Sequence, residues 1–170
     1  MDTAQLKDIA AEQLDRVLGF FPRVDAKASV VLGVDITLLG LLAANAPPYK
    51  LLNGYFVFAA IPVALISISL WNLYQSAYPK LEGGSRSLIY FREIAGRTES
   101  GFIDEFKAQS EENYVQDLLG QTWRNSEILK QKYDHVKTAL IMLAWSIIPW
   151  AISLAMFAAK NTAAKNLLVK

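Results

Sequence analysis

Hydrophobic residues are concentrated in three blocks of the chain, and polar residues separate them. The blocks cover residues 28–46, 51–74 and 138–160. A helix needs roughly 20 predominantly apolar residues to cross the hydrocarbon core of a bilayer, and each block has about this length. Pro47 and Pro48 interrupt the chain between the first two blocks and cannot continue a helix. The pattern therefore predicts a transmembrane hairpin over residues 24–75 and a third span at 138–160.

The polar stretches also contain helical patterns. In residues 1–23, apolar side chains such as Leu6, Ile9 and Leu14 recur at helical spacing, which predicts an amphipathic helix. This helix either packs on the rest of the protein or lies on the membrane surface with Phe20 and Phe21 inserted. Residues 76–137 form a soluble segment, and residues 161–170 form a tail.

One long helix is predicted from about Glu111 through the third block. Apolar residues recur there at three- and four-residue steps, and the next proline is Pro149. Upstream, the stretch SLIYFREIA fits either a strand or a helix. The stretch GFIDEFKAQ predicts a short helix with Ser100 as its cap. A continuous final helix would couple the soluble segment to the membrane.

Basic residues predict the orientation of the spans. Thirteen of the 17 Lys and Arg residues precede the first block or lie between the second and third blocks. Because basic loops remain in the cytoplasm, we expect the N-terminus and residues 76–137 there. A third block that turned back inside the membrane would instead place the tail in the cytoplasm.

Composition disfavours several classes of function. The chain is 53% hydrophobic, with mean hydropathy +0.23 and net charge +1, so nothing in the charge balance indicates nucleic-acid binding. It has no cysteine and a single histidine, His135, and no arrangement typical of a catalytic or metal site is evident. We therefore expect an all-α membrane protein that is not an enzyme and that has no metal or cofactor.

Asp35 is the one acidic residue inside the hydrophobic blocks. A charge at mid-membrane costs at least about 2.5–3.5 kcal/mol, so its carboxyl group should face protein or water. Opposite Asp35, a stripe of small residues is expected to pack inside the protomer, which would turn Asp35 outward. This small-residue stripe consists of Ser29, Gly33, Thr37, Gly40 and Ala44.

A layer of polar side chains is expected at the depth of Asp35. Its predicted members are Asp35, Ser67, Ser69 and Ser146. In one interpretation, a neutral Asp35 is hydrogen-bonded to a serine and joins helices. In the other, several protomers assemble, and Asp35 lines or seals a conducting path.

Ligand-binding chemistry is concentrated in the soluble segment. The candidate ligand-binding residues are Arg86, Tyr90, Phe91, Arg92 and Arg97. Arginine binds phosphate, and aromatic rings stack on bases. The alternative is that the aromatic rings are core residues and that the arginines face headgroups or solvent.

Three stretches resemble the transmembrane effector family of Pycsar, a bacterial antiphage system. They are RVDAKAS at residues 23–29, with Asp25, Lys27 and Ser29 as its most specific positions; Ile89–Phe91; and the pattern of Asp117, Leu118, Leu119, Gln121, Ser126, Ile128, Lys132 and Tyr133. The resemblance covers roughly residues 10–160.

The resemblance implies a signalling role. A partner pyrimidine cyclase would make cyclic UMP or cyclic CMP on infection, and the effector would sense it. The effector would then impair the inner membrane, and the infected cell would die. Its other expected partners are membrane lipid and further copies of itself. The alternative function is that of a constitutive membrane scaffold or a transport-complex subunit.

Overall fold

The computed structural model describes residues 2–47, 55–78, 84 and 86–168 and is almost entirely helical. Its helices are α1 (Thr3–Leu18), α2 (Phe21–Asn45), α3 (Tyr55–Ala77), α4 (Phe91–Ala95), α5 (Glu99–Ala108) and α6 (Glu111–Leu168). The described residues are 88% helical and include no strand. Within the described ranges, three helical segments are long and apolar enough to cross a membrane. The prediction of an all-α membrane protein is confirmed. Residues 48–50 of the predicted hairpin turn lie outside the described residues.

The chain folds into two compact units. The first unit comprises Met1–Val24 and Tyr78–Lys132, and the second comprises Asp25–Ala77 and Tyr133–Lys170. Helices α2 and α6 each begin in the first unit and end in the second.

The core of the first unit lies between α1 and the start of α6. Ala10 and Leu14 of α1 are buried against Val115 and Leu118 of α6. The face of α1 that contains Ala10 and Leu14 therefore packs on the rest of the protein, which is the first of the two interpretations of the N-terminal helix. On the opposite face, Ile9 is 52% exposed.

We expect Leu14→Ala to loosen α1 from this core. The substitution leaves a cavity at a buried position, and such changes cost about 2–5 kcal/mol. Hydrogen–deuterium exchange of the α1 amides in detergent should therefore accelerate strongly. Ile9→Ala, on the exposed face, is the matched control. Equal exchange in the two variants would contradict the packing of α1 on α6.

Two boundaries differ from the sequence predictions. The N-cap of α5 is Thr98, whose hydroxyl oxygen accepts a hydrogen bond from the amide of Gly101, so the prediction of Ser100 was wrong. Helix α2 begins at Phe21, well before the first hydrophobic block. Pro22 is compatible with this start because the first turn of a helix does not need its amide hydrogen. The first span is therefore the later part of a longer helix.

The second unit is a bundle of α2, α3 and the second half of α6. Asp35 pairs with Ser69, and Leu42 packs with Ala59, so α2 and α3 are antiparallel, as predicted. On α6, the indole nitrogen of Trp150 donates to the carbonyl of Leu38 at 2.9 Å. Further along the same two helices, Asn161 donates to the carbonyl of Asn45 at 3.0 Å. From the first contact to the second, the residue numbers increase along both helices, so α2 and α6 are parallel.

The interior side of α6 in this bundle includes a row of small residues. Ala139, Ser146 and Ser153 follow one another at seven-residue steps, and all three are buried. Small side chains allow helix backbones to approach closely, which favours packing in a membrane. Helix α6 continues through Pro149 to Leu168, so the third block contains no turn that would reverse its direction.

Candidate functional site

In the first unit, Asp117 of α6 holds residues 86–90, the segment that precedes α4. Its Oδ2 accepts hydrogen bonds from the Ser87 hydroxyl at 3.0 Å and from the Leu88 amide at 2.9 Å. The Ser87 oxygen in turn accepts from the amides of Ile89 and Tyr90. Gln121, one turn after Asp117, donates to the same oxygen at 3.0 Å. This network fixes the segment against α6.

Arg97 braces the same segment from the other side. Its Nη1 donates to the carbonyls of Ser87 at 3.1 Å and Glu93 at 2.7 Å, and its Nε donates to Glu105 at 3.0 Å. The Arg97 side chain is only 13% exposed. Its donors are therefore used to hold the fold.

A polar cavity of about 310 Å³ lies between this segment and α6. Its charged lining residues are Arg86, Asp117 and Arg124, and its amide lining residues are Gln109, Asn113, Gln116 and Gln121. The cavity belongs wholly to the first unit. Its size lies at the lower end of the range for small-molecule sites, roughly 300–1,000 Å³.

Gly84 forms part of the cavity wall in a conformation that favours glycine. Its φ is +78°, and that of Arg86 is +66°. A Cβ atom on Gly84 would lie 2.9 Å from Nε2 of Gln121 and 3.2 Å from Nη1 of Arg124. A side chain at this position would therefore strain the backbone and displace the ends of the Gln121 and Arg124 side chains.

Arg124 has an unsatisfied hydrogen-bond donor. Among the described residues, its Nη1 is buried and has no hydrogen-bond partner. A buried donor without an acceptor costs roughly 1–3 kcal/mol, and folded proteins rarely leave one in this state. Arg124, which lines the cavity, thus holds an unused guanidinium N–H group.

The structure brings together only part of the predicted ligand-binding set. Arg86 lines the cavity, and the Tyr90 ring lies beside Gly84. Phe91 is 64% exposed and contacts the Tyr90 ring edge-on, and the Arg92 side chain is also exposed. Arg97 braces the segment, as described above.

Several cavity residues were not among the predicted ligand-binding residues, although Asp117 and Gln121 belong to the pattern that resembles the effector family. Asn113, Asp117, Gln121 and Arg124 follow one another at steps of four, four and three residues. This spacing places them on one face of a helix. The apolar face of α6 was recognised from the same periodicity, so the polar face was an available signal.

In the second unit, Asp35 belongs to a polar contact, centred on Ser69, that links all three helices of the bundle. It is fully buried, and its Oδ2 lies 2.6 Å from the hydroxyl oxygen of Ser69 on α3. That hydroxyl oxygen also lies 3.1 Å from the carbonyl of Ala139 on α6. The other carboxyl oxygen of Asp35, Oδ1, is buried without a partner among the described residues.

The predicted orientation of Asp35 was wrong. The small-residue stripe of α2 is exposed along its whole length, and Asp35 faces the inside of the protomer together with Val31 and Leu42. The physical reason is that the Ser69 hydroxyl offers Asp35 a polar partner in the interior, whereas lipid offers none. Asp35 therefore lies between the helices of one protomer.

The predicted polar layer is smaller than expected. Ser146 is fully buried, and its hydroxyl donates to the carbonyl of Leu143 at 2.7 Å. Ser67 is exposed and donates to the carbonyl of Val63 in its own helix, so it does not face the interior.

The most specific residues of the family resemblance lie at the start of the second unit. Asp25, Lys27 and Ser29 are exposed, and the Ser29 hydroxyl donates to the Asp25 carbonyl at 2.9 Å. The ammonium group of Lys27 lies 5.4 Å from the centre of the Tyr133 ring. This is the distance of a cation–π contact.

Comparison with known families gives one match. The family model described as the Pycsar effector protein domain matches residues 9–159. No curated protein and no solved structure matches the chain.

Proposed function

Since the chain belongs to the Pycsar effector family, an effector family of antiphage defence, we propose that a cyclic pyrimidine mononucleotide triggers it to impair the bacterial inner membrane. The trigger is cyclic UMP or cyclic CMP made by a partner cyclase. The N-terminus and residues 76–137 face the cytoplasm, where the nucleotide is made. Abortive infection follows when the membrane fails.

The observation that carries this proposal is that one continuous helix, α6, contributes to both the polar cavity and the membrane bundle. Residues 113–124 of this helix line the polar cavity, and residues 139–153 pack against the two other spans. A ligand in the cavity would contact the same helix that crosses the membrane. Sensing and membrane damage then require no separate transmitting protein.

Membrane damage by this route involves several protomers. Three spans are too few to enclose an aqueous path, and the interior of the described bundle is filled by side chains such as Leu73 and Leu143. We therefore include assembly of the effector with itself, and contact with lipid, in the proposal.

Co-expression with a cyclase tests the function directly. Cells that carry the effector and an active pyrimidine cyclase should lose membrane potential, measured with a potential-sensitive dye. Cells with the effector and a catalytically inactive cyclase should retain it. The alternative of a constitutive scaffold predicts no difference between the two strains, and that result would overturn the proposal.

A further inference from the structure

We propose that the polar cavity of the first unit is the nucleotide-binding site and that Arg124 binds the phosphodiester group. This inference rests on the proposed function and adds a location and a ligand chemistry to it. The cavity lies between α6 and the segment that precedes α4.

The charge of the cavity suits a singly charged anion. Its lining contains two arginines, Arg86 and Arg124, and one carboxylate, Asp117, which gives a net charge of +1. The Oδ2 of Asp117 already accepts two hydrogen bonds from the Ser87–Leu88 segment. A cyclic mononucleotide carries one negative charge on its phosphodiester, so it matches this balance better than a nucleoside triphosphate does.

Arg124 is the better placed of the two arginines to receive a phosphate oxygen. Its Nη1 has no acceptor among the described residues, although it is shielded from solvent. A turn of the guanidinium group towards the cavity would give this N–H a phosphate oxygen as a partner. Charge-assisted hydrogen bonds from arginine to phosphate are among the strongest that proteins form.

The remaining lining favours recognition of a base by its edge. The amides of Gln109, Asn113, Gln116 and Gln121 each offer both a donor and an acceptor. Uracil and cytosine present both kinds of group on their pairing edges. No aromatic residue is among the described residues that line the cavity. Specificity should therefore come from hydrogen bonds, which reject the wrong partner more strongly than apolar contacts do.

The test is calorimetric titration of the detergent-purified full chain with cyclic UMP, CMP, AMP and GMP. We expect the wild-type protein to bind one of the two pyrimidine nucleotides. Arg124→Gln should weaken this binding by at least about tenfold, because it removes a charge-assisted phosphate contact. Lys130→Gln is the matched control, since it makes the same charge change at an exposed position of α6 outside the cavity.

Gly84→Ala provides a second, independent variant. The backbone at Gly84 has a φ of +78°, which disfavours a Cβ atom, and the new methyl group would displace the ends of the Gln121 and Arg124 side chains. Binding should therefore weaken without any change of charge. Circular dichroism should show wild-type helicity for both variants. Wild-type affinity in both would overturn the location of the site and leave the function standing. Failure of the wild-type protein to bind any of the four nucleotides would instead count against the proposed trigger, and with it this site.

Discussion

Asp35→Asn is expected to leave the protein folded and able to bind nucleotide but to abolish most of the membrane damage that the nucleotide triggers. A charged side chain in the middle of a membrane costs at least about 2.5–3.5 kcal/mol. In addition, one oxygen of the Asp35 carboxyl group makes no hydrogen bond among the described residues. An amide has the same shape and can still accept from Ser69. If Asp35 only joined helices, the carboxyl group would have no advantage over the amide. We therefore expect nucleotide-dependent leakage to fall by at least about tenfold, because an ionisable group inside a membrane usually serves transport or gating.

The measurement is dye leakage from liposomes that contain the purified variant, with cyclic UMP and cyclic CMP each added in turn. Ser67→Ala is the control, because this exposed serine bonds only to its own helix among the residues that the structure describes. Ser69→Ala complements the test, since it keeps the carboxyl group and removes its hydroxyl partner. Asp35→Asn protein that assembles and leaks like wild type would show that Asp35 serves only as a hydrogen-bonded joint.

Asp117→Ala is expected to release the segment around Ser87 from α6. The substitution removes the acceptor of the Ser87 hydroxyl and of the Leu88 amide, and Leu88 is only 8% exposed. A buried donor that loses its acceptor costs roughly 1–3 kcal/mol. Hydrogen–deuterium exchange over residues 86–97 should therefore accelerate by at least about tenfold, which corresponds to about 1.4 kcal/mol. Nucleotide binding should weaken in parallel.

Asp117→Asn tests whether the hydrogen bonds or the charge of Asp117 hold residues 86–97 against α6. The asparagine side chain retains an oxygen acceptor, so exchange should return most of the way to the wild-type rate. Asp104→Ala, at an exposed position of α5, controls for the loss of an acidic residue. Unchanged exchange in Asp117→Ala would mean that Gln121 and Arg97 suffice to hold the segment.

The membrane helices could be predicted because their signal is local. A block of about 20 apolar residues has few alternatives to a span, and helical spacing without proline extended the last helix back to Glu111. The face of α2 that packs inside could not be predicted in the same way. Both of its faces are largely apolar, and the outcome depended on Ser69, a residue 34 positions away.

The polar cavity was only partly predictable, for a related reason. Arg86 was identified from its chemistry, and the polar face of α6 is visible in the spacing of its residues. The left-handed conformations of Gly84 and Arg86 were not visible, because they arise when the segment docks on Asp117 and Gln121. The bracing role of Arg97 likewise depends on carbonyl groups whose positions only the fold defines.

Several contacts that join the spans have an evolutionary consequence. Trp150 and Asn161 of α6 donate to backbone carbonyls of α2, at Leu38 and Asn45, and the Ser153 hydroxyl oxygen lies 3.3 Å from the carbonyl of Phe58 on α3. Every amino acid supplies such a carbonyl, so the accepting positions can mutate without losing the bond, provided that size and hydropathy are kept. The donors have no such freedom. Homologous bundles should therefore diverge quickly at the accepting positions of α2 and α3, while polar donors persist along α6.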